Sequence, residues 1–127
     1  MKNEKLKVMS KSILKDKSYA FAIMVVKLSQ FLVSEKREYI LSKQLLRSGT
    51  AVGALIREAE FAQSKKDFVN KMSISLKEAN ETLYWLDLLK DTDYINKEEH
   101  QIHLGLNKEL VAMLVSSIKT SKSNIQR

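Results

Sequence analysis

The sequence predicts an all-α protein, an antiparallel up-down-up-down four-helix bundle. Three observations predict it. Apolar residues recur at three- and four-residue spacings along most of the chain, the period of a helix with one buried face. The 127 residues include no proline, the strongest helix breaker. Short polar joints near residues 36–39, 63–65 and 92–96 interrupt the pattern, and joints this short make successive helices antiparallel neighbours. No stretch alternates with period two for long enough to form a strand. One domain is expected at this length: a basic N-terminal arm over residues 1–17, a bundle over 18–119 and a polar tail over 120–127.

The arm, MKNEKLKVMSKSILKDK, carries six lysines against two acids. It reads as a mobile tail whose Ile13 and Leu14 tuck against the bundle, as a nucleic-acid arm, or as a membrane-surface helix. The first helix is expected from Asp16 or Ser18, both competent caps, to about Glu35. Phe21, Val25, Leu28 and Leu32 form its core stripe, and Tyr19, Ile23 and Val26 form a second apolar stripe beside it. Lys36 and Arg37 suit a helix C-terminus, where the macrodipole favours cations.

The second helix should span about Tyr39 to Ala62, with Leu41, Leu45, Val52, Ile56 and Ala59 inward. Its middle, Ser48-Gly49-Thr50-Ala51 with Gly53 and Ala54, is nearly all small. Each glycine costs roughly 1 kcal/mol against alanine in a helix interior, and close approach to a neighbouring helix is the expected return. A phosphate-binding glycine loop would need a preceding strand and a following Gly-Lys-Ser/Thr, both missing here.

Ser64 and Asp67 make a capping pair that starts the third helix, about Lys65 to Asp91. Phe68, Met72, Leu76, Ala79, Leu83 and Leu86 share its inner face. A turn centred on Ser64 places Arg47 opposite Glu81, and Glu58 near Asn70 and Lys71. Arg47 and Glu81 therefore read as an interhelical clamp, a task that guanidinium geometry serves better than an ammonium. Glu78 and Glu81 share one side of the helix, and a catalytic carboxylate pair is the competing reading. Tyr84 and Trp85, being adjacent, point to different sides: one to the core, the other to a groove or a subunit interface.

Asn96 and Glu99 cap the fourth helix, about Lys97 to Lys119. Ile102, Leu106, Leu110 and Met113 are expected in the core, with Leu104, Val111, Val115 and Ile118 on a second stripe. His100 and His103 lie at i, i+3, but neither has the Glu three residues before it that di-iron bundles use; they read as surface histidines. No metal and no cofactor is expected.

The chemistry the sequence excludes narrows the function. Without cysteine there is no disulfide framework and no thiolate nucleophile, and the paucity of histidine disfavours a hydrolase triad. No apolar run reaches membrane-spanning length, so a cytoplasmic protein is expected. The formal net charge of +7 favours a polyanionic partner. The candidate nucleic-acid contacts are Lys2, Lys5, Lys7, Lys11, Lys15 and Lys17 on the arm, and Lys43 and Arg57 on the bundle. The surplus stripes on the first and fourth helices, through Tyr19, Ile23, Val26, Leu104, Val111, Val115 and Ile118, nominate a homo-oligomer interface.

The stretches QLLRSGT, REAEFAQSKKDF and LKEANETLYWL resemble the bacterial four helix bundle protein family. That family includes proteins encoded in intervening sequences of large-subunit rRNA genes and the accessory variability protein of diversity-generating retroelements. The similarity runs from about Lys17 to Lys119. The family's usual Ser and Asn stand here as Ala51 and Leu55. The resemblance implies an antiparallel bundle assembled as a ring-like homopentamer, and no catalytic residues. Its retroelement branch implies binding of nucleic acid and of a reverse transcriptase. Two readings stand: a non-enzymatic basic bundle that binds RNA or other nucleic acid with weak sequence preference, and a structural or protein-interaction accessory subunit.

Overall fold

The computed structural model describes the backbone of residues 2–126 and the side chains of residues 13–125. Four helices follow one another: α1 (Lys2–Lys36), α2 (Leu41–Glu60), α3 (Lys65–Asp91) and α4 (Lys97–Gln126). Each packs on its neighbour in sequence, and α1 closes the ring against α4. The fold is an all-α four-helix bundle, with no strand among the described residues.

Local chemistry explains the joints. At the start of α3 the Asp67 amide donates to Ser64 Oγ at 3.0 Å, and the Gln63 amide donates to Asp67 Oδ2 at 3.3 Å. This reciprocal pair satisfies amides that the first turn leaves open. Asn96 Oδ1 accepts from the Glu99 amide at 2.8 Å and caps α4. At the end of α3, Asp93 takes a left-handed φ of 68°. The Tyr94 amide there reaches back to the Leu89 carbonyl and the Asp93 amide to that of Lys90, the pattern of a Schellman stop. Arg37 is likewise left-handed, with φ 52°. The start of α2 lacks a conventional cap, and Glu38 supplies one: its carboxylate accepts from the Ile40 and Ser42 amides at 2.9 and 3.0 Å.

Two helix boundaries differ from the sequence expectation. Helix α1 begins at Lys2, not at Asp16 or Ser18. Ser18 caps nothing; it is buried, and its hydroxyl donates to the Lys15 carbonyl one turn back. Residues 2–17 hold lysine and leucine, strong helix formers, and no glycine or proline, so a helix already under way on Leu14 and Phe21 has no reason to stop. Helix α4 likewise runs past Lys119 to Gln126.

The core is built from Phe21, Val25, Leu28 and Leu32 of α1, Leu45, Val52, Ile56 and Ala59 of α2, Met72, Ala79, Leu86 and Leu89 of α3, and Leu110, Leu114 and Ile118 of α4. The small stretch of α2 lies against α1. A Cβ on Gly49 would meet both Val25 methyls at 2.7 Å, and one on Gly53 would lie 3.3 Å from the Ser18 carbonyl oxygen.

Helix α4 is rotated from the face its hydrophobic pattern suggests. Its inner side carries His100, His103, Asn107, Leu110, Leu114 and Ile118. Ile102, expected in the core, is 60% exposed. Ile118, expected on an interface stripe, is buried in the core of its own chain. His100 and His103 are interior rather than surface residues. The reason is that three polar side chains have found partners inside. His100 Nε2 lies 2.7 Å from Asp87 Oδ1, the His103 Nδ1–H meets the Glu99 carbonyl at 2.8 Å, and Asn107 Nδ2 donates to the Ala79 carbonyl at 3.0 Å.

Candidate nucleic-acid interface

Charges on the bundle are sorted by seam. Between α1 and α2, Lys15 Nζ approaches Glu60 at 3.5 Å, and the Arg57 guanidinium lies over the Tyr19 ring, 5.3 Å from its centroid. Between α1 and α4, Lys17 Nζ bonds Glu109 at 2.7 Å. Between α2 and α3, Arg47 Nη1 reaches Glu78 Oε2 at 3.1 Å while its Nη2 bonds Glu81. Lys71 approaches Glu58 at 3.9 Å on the same seam. Between α3 and α4, no lysine or arginine pairs across the seam among the described residues; the bond there is His100 to Asp87.

The clamp is more extensive than an isolated pair. Glu81 Oε2 also accepts from the Trp85 indole N–H at 3.2 Å. Arg47, Glu78, Glu81 and Trp85 thus form one network, and the two carboxylates are committed to it. Tyr84 packs edge-on against Trp85 with ring centroids 5.0 Å apart, and is itself 60% exposed. Of this group, the sequence pointed to Arg47 facing Glu81; the joint engagement of Glu78 and Trp85 follows from the i, i+3 and i, i+4 spacings within α3.

Among the nominated contacts, Lys15 and Lys17 belong to α1 and each faces a carboxylate. The side chains of Lys2, Lys5, Lys7 and Lys11 lie outside the described residues. Lys43 and Arg57 are exposed on α2. Of the nominated interface residues, Tyr19 and Ile23 are exposed, and Val26, Leu104, Val111 and Val115 are half-buried.

Charge is also divided along the bundle axis. Ranges 31–43 and 84–101, at the end with the α1–α2 and α3–α4 turns, hold seven acidic and five basic residues. The positive balance therefore resides in the remainder. A cleft of about 730 Å³ opens toward the opposite end, lined by Leu14, Phe68 and Met113 and by the hydroxyls of Ser117, Thr120 and Ser121. No group of three or more His, Asp or Glu gathers among the described residues. No helix among them is long and apolar enough to cross a membrane.

The model of the 23S rRNA-intervening sequence protein family matches residues 10–116. The chain belongs to that family. It is also similar to a solved structure from Bacteroides thetaiotaomicron, described as a protein with unknown function from the S23 ribosomal protein family. The two are 52% identical with a TM-score of 0.86, over 87% of this chain and 98% of that one. No curated protein matches the chain. Family membership agrees with the resemblance read from QLLRSGT and its companion stretches.

Proposed function

We propose that this member of the family is a non-enzymatic, cytoplasmic, oligomeric bundle that binds RNA or other nucleic acid through charge. The observation that carries the reading is the net +7, together with exposed cations left without an acidic partner. Counterion release from phosphates makes such a surface a polyanion binder. Base preference is weak, since no zinc, helix-turn-helix or RNP signature is present. Assembly is read from the exposed apolar residues Tyr19 and Ile23 of α1, and the family resemblance supplies a ring of five. Five chains of +7 amount to roughly +35 in formal charge, with the lysine-rich start of α1 repeated around the ring.

A binding titration tests the reading, using structured RNA, single-stranded RNA and duplex DNA at two salt concentrations. Affinity falls steeply with salt, by about 0.7 to 0.9 in the log–log slope for each phosphate contact. Absence of binding at low salt overturns it. Deleting residues 1–11, which keeps the buried Leu14 and the Lys17–Glu109 pair, weakens binding if the N-terminal lysines take part and leaves it unchanged if the site lies wholly on the bundle. Light scattering at micromolar concentration reads the assembly, and a monomer overturns the oligomer. The exposed Tyr19, Ile23 and Tyr84 favour a second reading, an accessory subunit whose contacts are with protein.

A further inference from the structure

The α3–α4 seam is where cations stand apart from acids. On α3, Lys66, Ser73, Asn80 and Asp87 follow one another at seven-residue spacing and so share a flank. Asp87 reaches α4 through His100, which identifies this as the flank adjoining α4. Lys77 and Tyr84 lie beside it, one turn from Ser73 and Asn80, and both are exposed. On α4, residues 100, 104, 108, 111, 115, 119 and 122 advance in steps of three and four, from the His100 contact outward. Lys108, Lys119 and Lys122 are exposed on that row.

The register between the helices is fixed by Asn107 on Ala79 and His100 on Asp87. It sets Lys77 level with Lys108, and Lys66 level with Lys119. The two rungs are separated by eleven residues on each helix, about 16 Å, and Lys122 lies beyond the second rung. Between them the surface is small or apolar, with Ser73, Ala112 and Val115.

The nearby acids are all engaged or elsewhere. Glu78 bonds Arg47 on the α2 side, and Asp67 caps its own helix. Glu109 bonds Lys17 on the α1 side. Asp87 holds His100, Asp91 lies 3.7 Å from Lys90, and Glu98 and Glu99 sit by the α3–α4 turn. Among the described residues, Lys66, Lys77, Lys108, Lys119 and Lys122 form no ion pair.

We propose that this α3–α4 face seats the phosphate backbone of a double-helical nucleic acid, with the two lysine rungs on phosphates. The proposal rests on the nucleic-acid reading above and gives it a place. Lysines act on phosphates as point charges without reading bases. A single strand would need a run of aromatics for its bases, and the face offers Tyr84 alone, beyond the lysines.

The test is a titration of the full chain with a short RNA duplex at two salt concentrations. Lys77→Gln/Lys108→Gln/Lys119→Gln is compared with Lys27→Gln/Lys36→Gln/Arg37→Gln, which removes the same charge from exposed positions on and just after α1. Circular dichroism verifies that both variants keep their helices. The face variant loses about tenfold or more in affinity at low salt and roughly 2 to 3 in salt slope, while the control stays close to wild type. Equal losses in the two variants, or none in the face variant, overturn the face and leave the general reading standing. A wild-type chain that binds no duplex, no single strand and no structured RNA at low salt overturns that general reading together with the face.

Discussion

Replacing Gly49 and Gly105 by alanine should move stability in opposite directions. Both lie inside helices, where alanine is favoured over glycine by about 1 kcal/mol. A Cβ on Gly105 meets nothing within 4 Å, so Gly105→Ala should gain most of that amount. A Cβ on Gly49 would lie 2.7 Å from both Val25 γ-carbons and 3.1 Å from its Cβ. Ordinary carbon contacts fall at about 3.5 to 4.0 Å, so close to 1 Å must be found. Val25 is buried and β-branched, with one strongly preferred rotamer in a helix, and cannot swing aside. The strain falls on the α1–α2 spacing, in the upper part of the overpacking range, about 2 to 3 kcal/mol. After the propensity gain, the net loss is about 1 to 2 kcal/mol. Urea unfolding at one fixed protein concentration measures both variants. In thermal melts each kcal/mol corresponds to about 4 °C at this chain length. A Gly49→Ala variant as stable as wild type would refute the close-approach argument. So would a cost that persists undiminished in a Val25→Ala background, since the two changes should couple.

Other expectations follow from the seams. Arg47→Ala should cost about 1 kcal/mol, modest because its side chain is 51% exposed; a double-mutant cycle with Glu81→Gln in urea unfolding checks the coupling. Asn107→Leu should stabilise the bundle by about 1 kcal/mol, because Asn107 Oδ1 is buried with no partner and an orphaned acceptor costs more than the single bond returns. A loss of stability would mean that this oxygen has a hydrogen-bond donor. Ile118→Asp should abolish two-state unfolding by placing a carboxylate in the core, whereas Ile102→Asp should change stability by less than about 0.5 kcal/mol.

Much of this architecture was legible before any coordinates. The apolar spacing gives the inward direction of α1, α2 and α3, although their buried rows also take in Ser18, Ser42, Ser48, Ser75 and Thr82 and leave Leu76 and Leu83 half-buried. Ser64 and Asn96 mark two helix starts. The fourth helix was misread for a physical reason. Its inward row contains His100, His103 and Asn107, so the apolar period points to Ile102 and Leu106 instead. Only partners such as Asp87 and the Ala79 carbonyl, far away in sequence, make that burial tolerable. The Glu38 cap was hidden similarly, since it sits two residues ahead of the usual capping position. On the surface, Arg47 and Glu81 could be set opposite each other by counting back from one turn. The lysine rungs could not, because which cations lack an acidic partner depends on the rotation of α4.

The ring closure between α1 and α4 has a kinetic consequence. Its ion pair joins residues 92 positions apart, whereas the Arg47–Glu81 and Asn107–Ala79 contacts join residues 34 and 28 apart. Closing a loop about three times longer costs roughly 1 kcal/mol more in chain entropy. The sequence-adjacent hairpins should therefore form early and the closing seam last. Substitutions at Lys17 or Glu109 would then accelerate unfolding and leave the refolding rate unchanged, with φ-values near zero at this seam and higher ones along the α2–α3 hairpin.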